Sequence, residues 1–175
     1  MSKADQHRAI APPPVSADVG LVAATSIEFG PLLDRLKFVR KYAARGQTII
    51  EGRLHGKIVA VVLTGMGRAR AQRGAERLID GHRPRWLLSA GYAGALDPAL
   101  HRNDLIVPTE VVNVEGRRFP IGRPTAIDSI PRAQHWGRLL TVDEIVLKAS
   151  EKAQLRSRHD ADLVDMETSS VVAYC

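Results

Sequence analysis

The feature that most constrains the fold is a set of short apolar runs without alternation of polar and apolar residues. Residues 18–24 read DVGLVAA and residues 85–90 read RWLLSA. Strands of parallel sheets are buried on both faces and have this character. Segments with the apolar spacing of helices follow these runs. The pattern therefore predicts an α/β fold with a mainly parallel or mixed twisted central sheet flanked by helices.

The other elements follow from apolar spacing, glycine and proline. Helices are predicted at 27–38, 68–81 and 150–159 and from Glu167 onward, with Thr25 or Ser26 as the N-cap of the first. Further strands are predicted at 48–54, 57–64, 104–112, 138–141 and 162–166, the first two forming a hairpin across His55-Gly56, with a loop at 116–129. In such sheets ligands bind beyond the carboxyl ends of the strands. Residues just after the strands are therefore the candidates for function.

Length and cysteine content limit the class of protein. The 175 residues suit one domain, which we place at residues 18–175. Residues 1–17 lack the apolar segment of a signal peptide and are predicted to be a disordered leader. No apolar run approaches the roughly 20 residues that cross a bilayer. Cys175 is the only cysteine, which excludes a disulfide framework or a thiolate cluster within one chain. We expect a cytoplasmic protein with no membrane span, metal or cofactor.

The net charge of +6 raises the question of nucleic acid. The arginines at 68, 70, 73 and 77 lie at helical spacing around an apolar stripe that includes Ala71, Ala75, Leu78 and Ile79, which is typical of a solvated helix face. Aromatic residues make up only 5% of the chain, so stacking platforms for single strands are scarce. We expect no nucleic-acid partner. The alternative, binding through the basic helix, would require an affinity that falls steeply with salt.

Two glycine-containing turns follow predicted strands, at residues 64–67 (TGMG) and 91–94 (GYAG). Glycine lets the backbone approach a ligand closely. Neither turn is followed by the Gly-Lys-Ser or Gly-Lys-Thr of a P-loop, which excludes binding of a nucleoside triphosphate in that manner. Taken singly, each turn is also compatible with a purely structural strand-to-helix connection.

Four segments, taken together and in order, resemble the superfamily of nucleoside phosphorylases and methylthioadenosine/S-adenosylhomocysteine nucleosidases. They are residues 19–33 (VGLVAATSIEFGPLL), 63–71 (LTGMGRARA), 87–108 (LLSAGYAGALDPALHRNDLIVP) and 163–175 (LVDMETSSVVAYC). The resemblance implies an enzyme that breaks the N-glycosidic bond of a purine nucleoside through an oxocarbenium-like transition state. It also implies a small-molecule purine nucleoside as ligand and a homo-oligomer.

The resemblance assigns roles to two glutamates and a methionine. Glu28 corresponds to the carboxylate that activates the nucleophilic water, although an acid at this place could also simply favour the start of a helix. Glu167 corresponds to the carboxylate that binds the ribose hydroxyls, since its two oxygens can accept from a cis-diol. Met166 would pack against the sugar. Asp165 is expected to face the other way, because neighbouring strand residues alternate.

The purine is expected at the glycine-rich turn and at the strand end that follows residue 141. The resemblance places Gly91 and Tyr92 at the turn in contact with substrate. It places the backbone of Val146, or of its neighbour Ile145, against the base. Asp143 in the same segment is open to a structural interpretation.

The nucleophile can be water or phosphate in this superfamily. Phosphorolytic members carry an arginine before the glycine turn and a Gly-Asp-Pro near the first strand, where this chain has Ser89 and residues 24–26 (ATS). A phosphate dianion without its cation would be poorly stabilised, so we expect hydrolysis that releases adenine. Residues 141–168 also resemble hopanoid-associated phosphorylases, thought to act on adenosyl-lipids, and the first segment resembles futalosine hydrolases.

The resemblance also sets an expectation for the C-terminus. Family members continue past the Met-Glu helix into a strand with an aspartate that helps to protonate the leaving purine, and then into a closing helix. No residue of this chain can be matched to that acid. The sequence therefore predicts a fold whose last strand and helix are missing. An inactive nucleoside-binding remnant stays open as an alternative.

Overall fold

The computed structural model describes residues 15–125 and 127–175. Its strands are β1 Val19–Ala23, β2 Lys37–Ala44, β3 Gln47–Leu54, β4 Lys57–Leu63, β5 Trp86–Ser89, β6 Gly94–Ala95, β7 Leu105–Val107, β8 Glu110–Asn113, β9 Arg118–Pro120, β10 Ala133–His135, β11 Arg138–Thr141 and β12 Leu163–Asp165. Its helices are α1 Gly30–Leu33, α2 Arg68–His82, α3 Ala149–His159 and α4 Thr168–Val172, with a 3-10 turn at Ile127–Ser129. In the described ranges no helix is long and apolar enough to cross a membrane.

The strands form two mixed five-stranded sheets and a two-stranded one. The first sheet has the order β2-β3-β4-β1-β5, and the second has the order β6-β12-β11-β8-β9. In the first, β1 is parallel to both β4 and β5. In the second, β11 is parallel to both β8 and β12. The predicted α/β class with mixed, partly parallel sheets is confirmed, and the parallel centres bring several strand ends to one edge.

The core of the first sheet lies on both of its faces, as the unalternating apolar run at 18–24 predicts. Val22 packs with Val62 and with the buried face of α2, whereas Leu21 and Ala23 pack with Val61 on the opposite face. The predicted apolar stripe of α2 is buried at Ala71, Ala75 and Leu78. The predicted hairpin is confirmed as β3 and β4 in antiparallel register. Both of its turn residues, His55 and Gly56, have positive φ, as a two-residue hairpin turn requires.

The predicted leader overlaps the described part of the chain in residues 15–17. Ala17 is buried in the core of the first sheet. Its N–H donates to the carbonyl of His82, and its own carbonyl accepts from the N–H of Arg85. Ala17 therefore belongs to the fold. The rest of that predicted segment, residues 1–14, lies outside the described residues.

The predicted helix at 27–38 is wrong for most of its length. Only the single turn of α1 is helical; it has Pro31 in its first positions and Phe29 as N-cap, so neither Thr25 nor Ser26 caps it. From Lys37 the chain forms β2, which pairs antiparallel with β3. The apolar residues of the segment still reach the core, where Leu36 is buried. The apolar spacing therefore predicted which side chains are buried, but it did not predict the secondary structure of the segment.

Three other predicted segments are also corrected. The strand predicted at 104–112 is two strands, because Pro108 interrupts it and β7 and β8 pair in different sheets. The loop predicted at 116–129 contains β9. The strand predicted as buried at 85–90 lies at the edge of its sheet, with Trp86 63% and Leu88 47% exposed.

A buried polar network connects the outer strands of the first sheet with the end of α2. The carboxylate of Glu51 accepts hydrogen bonds from Tyr42 Oη at 2.7 Å and from Arg40 Nε at 2.7 Å, and it lies 2.8 Å from His82 Nε2. Burial acts to raise the pKa of Glu51, but these hydrogen bonds outweigh it, and the pKa is lowered below 4.5. The charged carboxylate is therefore the form that stabilises the fold.

We expect Glu51→Gln to lower the free energy of unfolding by about 2 kcal/mol at pH 7, since charge-assisted hydrogen bonds are lost. A carboxyl with a lowered pKa stabilises the fold above its unfolded pKa, and this contribution disappears as the pH falls through the folded pKa. The difference between wild type and variant should therefore shrink below pH 4.5. Urea unfolding between pH 7 and pH 3 measures it, with the exposed Glu144→Gln as control. A difference that is independent of pH would contradict the role of the charged form.

Candidate active site

Glu28 lies just after β1, in the segment that leads to α1. Its Oε2 accepts a hydrogen bond from the backbone N–H of Thr25 at 2.8 Å, and its Oε1 accepts from the backbone N–H of Tyr92 at 3.3 Å. Thr25 Oγ1 donates to the same carboxylate at 3.3 Å. β1 and β5 are parallel neighbours, so the segments after their carboxyl ends meet here. The side chain is thereby held between two strand ends.

Gly91 makes this position of the Glu28 carboxylate possible. A Cβ atom on Gly91 would lie 2.6 Å from Glu28 Oε1, which is closer than non-bonded atoms approach. The glycine therefore leaves the space that the carboxylate fills. The structure thus brings three of the predicted site residues, Glu28, Gly91 and Tyr92, into direct contact. The Tyr92 side chain itself is 74% exposed.

Glu167 precedes α4 and reaches the turn after β4. Its Oε1 accepts from the backbone N–H of Gly67 at 2.6 Å, and its Oε2 accepts from the N–H of Met166 at 3.2 Å. Gly67 has a φ of 105°, a conformation that L side chains rarely adopt, so glycine is needed where this N–H faces the carboxylate. The contact joins residues 100 positions apart. It also joins the first sheet, through β4, to the second, through β12.

Burial and neighbouring charges both affect the carboxylate of Glu167. Burial raises the pKa of Glu167, the hydrogen bond from Gly67 opposes this, and the negative charges of Asp165 and Glu28 raise it further. The effect of Glu28 on Glu167 is the smallest of these. A positive charge that formed between Glu28 and Glu167 would be stabilised by both.

Asp165 is held by hydrogen bonds at the end of β12. Its Oδ1 accepts from Thr141 Oγ1 at 2.7 Å, and its Oδ2 accepts from the backbone N–H of Thr168 at 2.8 Å. Thr141 Oγ1 in turn accepts from the N–H of Ser169 at 2.9 Å. Burial raises the pKa of Asp165. These contacts fix the start of α4 on the end of β11 and so determine where Glu167 stands.

Met166 and Val146 pack on the second sheet. Both are partly buried and pack against the core cluster of the second sheet, whose buried members are Leu96, Val112, Leu140, Val142, Ala161 and Val164. Ile145, beside Val146, is 58% exposed. The predicted purine segment therefore lies on the second sheet, whereas Glu28 and Gly91 follow strands of the first.

Arg68 forms an ion-pair network that the sequence did not indicate. Its Nη1 and Nη2 donate to the two carboxylate oxygens of Glu115 at 3.0 and 2.9 Å, and its Nε donates to Asp143 Oδ1 at 2.9 Å. Arg68 therefore lies at the surface of α2, as predicted, but is paired with two acids. Asp143 has a structural role as one of these two partners, which is the interpretation that the sequence left open. Glu115 lies 47 residues further along the chain, in the β8–β9 hairpin, and no local spacing signals the pair.

The hydrogen bond between Ser89 and Thr168 is a second contact that the sequence did not indicate. Its Oγ lies 3.0 Å from Thr168 Oγ1, which connects the end of β5 to the first residue of α4. Within residues 15–125 and 127–175, His, Cys, Asp and Glu do not gather in threes that could hold a metal ion.

Comparison with known proteins identifies the family. The profile of the phosphorylase superfamily matches residues 18–134. The chain belongs to this superfamily. By family it is therefore a glycosidase-type enzyme. The matched segment includes Glu28, Gly91 and Tyr92, whereas Val146, Met166 and Glu167 lie beyond it.

Solved structures show the same fold. The methylthioadenosine/S-adenosylhomocysteine nucleosidase of Neisseria meningitidis, in complex with methylthio-immucillin-A, is 20% identical with a TM-score of 0.80, and the alignment covers 90% of this chain and 78% of that one. The corresponding nucleosidase of Colwellia psychrerythraea, in complex with adenine, is 21% identical with a TM-score of 0.79 and coverage of 93% and 78%. A futalosine hydrolase mutant of Helicobacter pylori is 20% identical with a TM-score of 0.76 and coverage of 90% and 82%.

We predict that Glu28→Gln lowers the pKa of Glu167, because it removes a negative charge that raises this pKa. An NMR titration of the glutamate side-chain carboxyl carbons measures the shift. Glu144→Gln, an exposed substitution of the same type, should leave Glu167 unchanged. An unaltered Glu167 titration in Glu28→Gln would mean that the two carboxylates do not share one space.

Proposed function

We propose that the protein hydrolyses the N-glycosidic bond of a purine nucleoside, such as an adenosine derivative of the methylthioadenosine or S-adenosylhomocysteine type, and releases adenine. The observation that carries this proposal is the position of Glu28 and Glu167 at the ends of neighbouring strands of the first sheet: Glu28 lies after β1 and contacts the turn after β5, and Glu167 contacts the turn after β4. Both carboxylates are held by backbone N–H groups at the strand ends, where ligands of α/β sheets bind. Their negative charges suit a reaction in which positive charge develops on a ribose.

Glu28 is the proposed general base. The N–H groups of Thr25 and Tyr92 fix the carboxylate in orientation. Oε2 accepts from both the N–H and the hydroxyl of Thr25, whereas Oε1 accepts from the N–H of Tyr92 and keeps a lone pair for a water molecule. As the bond to the purine lengthens, the anomeric carbon becomes electron-deficient. Glu28 then accepts a proton from the water that attacks this carbon, and its charge stabilises the oxocarbenium-like state. The electron pair of the broken N-glycosidic bond leaves with the purine, which takes up a proton from solvent water, so that neutral adenine is released.

Glu167 is the proposed ribose ligand. Its two oxygens can accept hydrogen bonds from the 2′ and 3′ hydroxyls, and the N–H groups of Gly67 and Met166 hold it in place for that purpose. Met166 supplies an apolar surface next to it. Gly91, Tyr92 and the backbone of Val146 are then left to bind the purine on the side of the ribose where Glu28 lies.

Water is favoured over phosphate as the nucleophile by the partners of Arg68. Its three contacts go to Glu115 and Asp143, so its charge is already compensated. Ser89, at the end of β5, is hydrogen-bonded to Thr168. A phosphate dianion near these groups would meet the charges of Glu28 and Glu167 as well. The names of the structural relatives, nucleosidase and hydrolase, agree with this choice.

We expect Glu28→Gln to lower the rate of adenine release by about 10²- to 10⁴-fold, because the amide cannot accept the proton of the water. The melting temperature should change little. Gly91→Ala should have a similar effect on activity, since its Cβ would displace the Glu28 carboxylate while the exposed backbone stays in place. Release of adenine from methylthioadenosine and from adenosine is the measurement.

The matched controls are Asp34→Asn, an exposed acid near Glu28, and Gly122→Ala, where an added Cβ meets nothing within 4 Å. Both should retain full activity. Full activity in Glu28→Gln would exclude Glu28 as the base. A wild-type protein whose melting temperature rises with adenosine but which releases no adenine would be a binding protein and would overturn the proposed catalysis.

Hydrolysis also predicts the sugar product. In water enriched in oxygen-18, the released ribose should carry the label at its anomeric oxygen, and the rate should not depend on added phosphate. Phosphorolysis would instead produce an unlabelled ribose 1-phosphate at a rate that rises with phosphate. Mass spectrometry of the sugar distinguishes the two outcomes.

A further inference from the structure

The first turns of α2 carry arginines where negative residues are usual. Arg68, Arg70 and Arg73 occupy this end, and the first turn contains no acidic residue. The N-terminal end of a helix bears a partial positive charge, so cations there are destabilising unless an anion lies close by. Arg68 has its anions in Glu115 and Asp143. Arg70 and Arg73 form no ion pair with the described residues.

A cavity of about 880 Å³ lies beside these arginines, between α2, α4 and the β8–β9 hairpin. Its charged lining comprises Arg68, Arg70, Arg73, Arg117, Glu115 and Asp143. With Arg68 compensated by the two acids, the cations of Arg70, Arg73 and Arg117 give the cavity a positive charge.

Two of these arginines are held in place by packing. The Arg70 guanidinium lies against the turn after β4, where a Cβ on Gly65 would be 2.7 Å from its Nη1. The Arg117 guanidinium lies over the ring of Phe119 at 4.8 Å. Gln72, Asn113 and Ser170 add neutral hydrogen-bonding groups to the wall. An anion that entered would therefore find positioned donors.

The cavity adjoins the proposed nucleoside site on one side only. Met66 and Gly67 line it, and the N–H of Gly67 binds Glu167. Gly91, Tyr92 and Val146, the proposed purine contacts, do not line it. In a nucleoside the base and the 5′ carbon are attached on opposite sides of the ring oxygen. If the ribose lies at Glu167 with the base toward Tyr92, this cavity, which begins at Met66 and Gly67, is the space next to the ribose that remains for the 5′ substituent.

We infer that this arginine-lined cavity binds an anionic group, a carboxylate or a phosphate, carried on the 5′ carbon of the nucleoside. The inference rests on the proposed function and narrows its substrate class. Nucleosides with an acidic 5′ substituent are preferred over those with a neutral one. Arginine is suited to this role because its planar guanidinium can donate two parallel hydrogen bonds to either oxyanion.

The test compares adenosine 5′-monophosphate with adenosine, which differ only in the 5′ anion. The wild type should show a kcat/KM for the monophosphate that is about tenfold or more above that for adenosine, as expected for one or two charge-assisted hydrogen bonds. In Arg73→Gln/Arg117→Gln this ratio should fall to about one. The control Arg102→Gln/Arg158→Gln removes the same charge from exposed positions outside this cavity and should keep the wild-type ratio.

The outcomes separate the inference from the function on which it rests. Equal kcat/KM for the two nucleosides in the wild type, with adenosine cleaved normally, overturns the inference and leaves the proposed function intact. If neither is cleaved, the proposed function fails. Calorimetric titration with adenosine 5′-monophosphate and with adenosine then tests whether the cavity binds an anion. Tighter binding of the monophosphate that is lost in the cavity variant supports the anion site, and equal binding overturns it.

Inorganic phosphate is the third probe, because a free oxyanion has the same chemistry as a 5′ phosphate. Under the inference, phosphate competes with the monophosphate for the cavity and does not accelerate cleavage of adenosine. Acceleration with formation of ribose 1-phosphate would show that the arginines serve a free cosubstrate, and would overturn the assignment to the 5′ substituent.

Discussion

The hydrogen bond between Glu167 and the backbone N–H of Gly67, at 2.6 Å, is the contact on which the site depends. It connects the turn after β4, in the first sheet, with the residue after β12, in the second. The contact between Ser89 and Thr168 connects the same two sheets a short distance away. Neither sheet alone presents both Glu28 and Glu167. The proposed site therefore depends on how the two sheets meet.

The raised pKa of Glu167 reflects an energetic cost that the proposed reaction can use. Burial, the charge of Asp165 and, to a smaller extent, the charge of Glu28 raise the pKa of Glu167, which means that its ionised form is destabilised. An oxocarbenium-like ribose placed between Glu28 and Glu167 would offset this cost. An interaction that is more favourable in the transition state than in the ground state accelerates the reaction. The backbone N–H groups keep the carboxylates in place until the substrate arrives.

Local patterns predicted those parts of the molecule that local physics determines. The apolar run at 18–24, the hairpin at His55-Gly56 and the stripe of α2 were predicted because burial on one or two faces leaves a direct trace in the sequence. The helix predicted at 27–38 was wrong because β3 offered residues 37–44 a strand to pair with. That pairing is a tertiary interaction, and the spacing of the leucines does not predict it.

The candidate site likewise contains some features that local sequence patterns predict and others that they do not. Glu28 and Glu167 could be proposed from the order of motifs, and the structure gives both of them backbone partners at the strand ends. The Arg68–Glu115 pair could not be predicted, since it depends on how the β8–β9 hairpin folds toward α2. The arginines of α2 were interpreted from sequence as a solvated face. In the structure the arginines of the first turns border a cavity. The apolar stripe on the other side of the helix is buried in the core.

The most direct test of a shared nucleoside site is a crystal structure with an adenosine analogue whose base and ribose are joined by a carbon–carbon bond, which cannot be hydrolysed. The expected result has Glu167 accepting hydrogen bonds from the 2′ and 3′ hydroxyls and Glu28 within reach, through one water molecule, of the anomeric carbon. An analogue bound away from Glu167, or one whose anomeric carbon lies remote from Glu28, would contradict the convergence of the two carboxylates on one substrate.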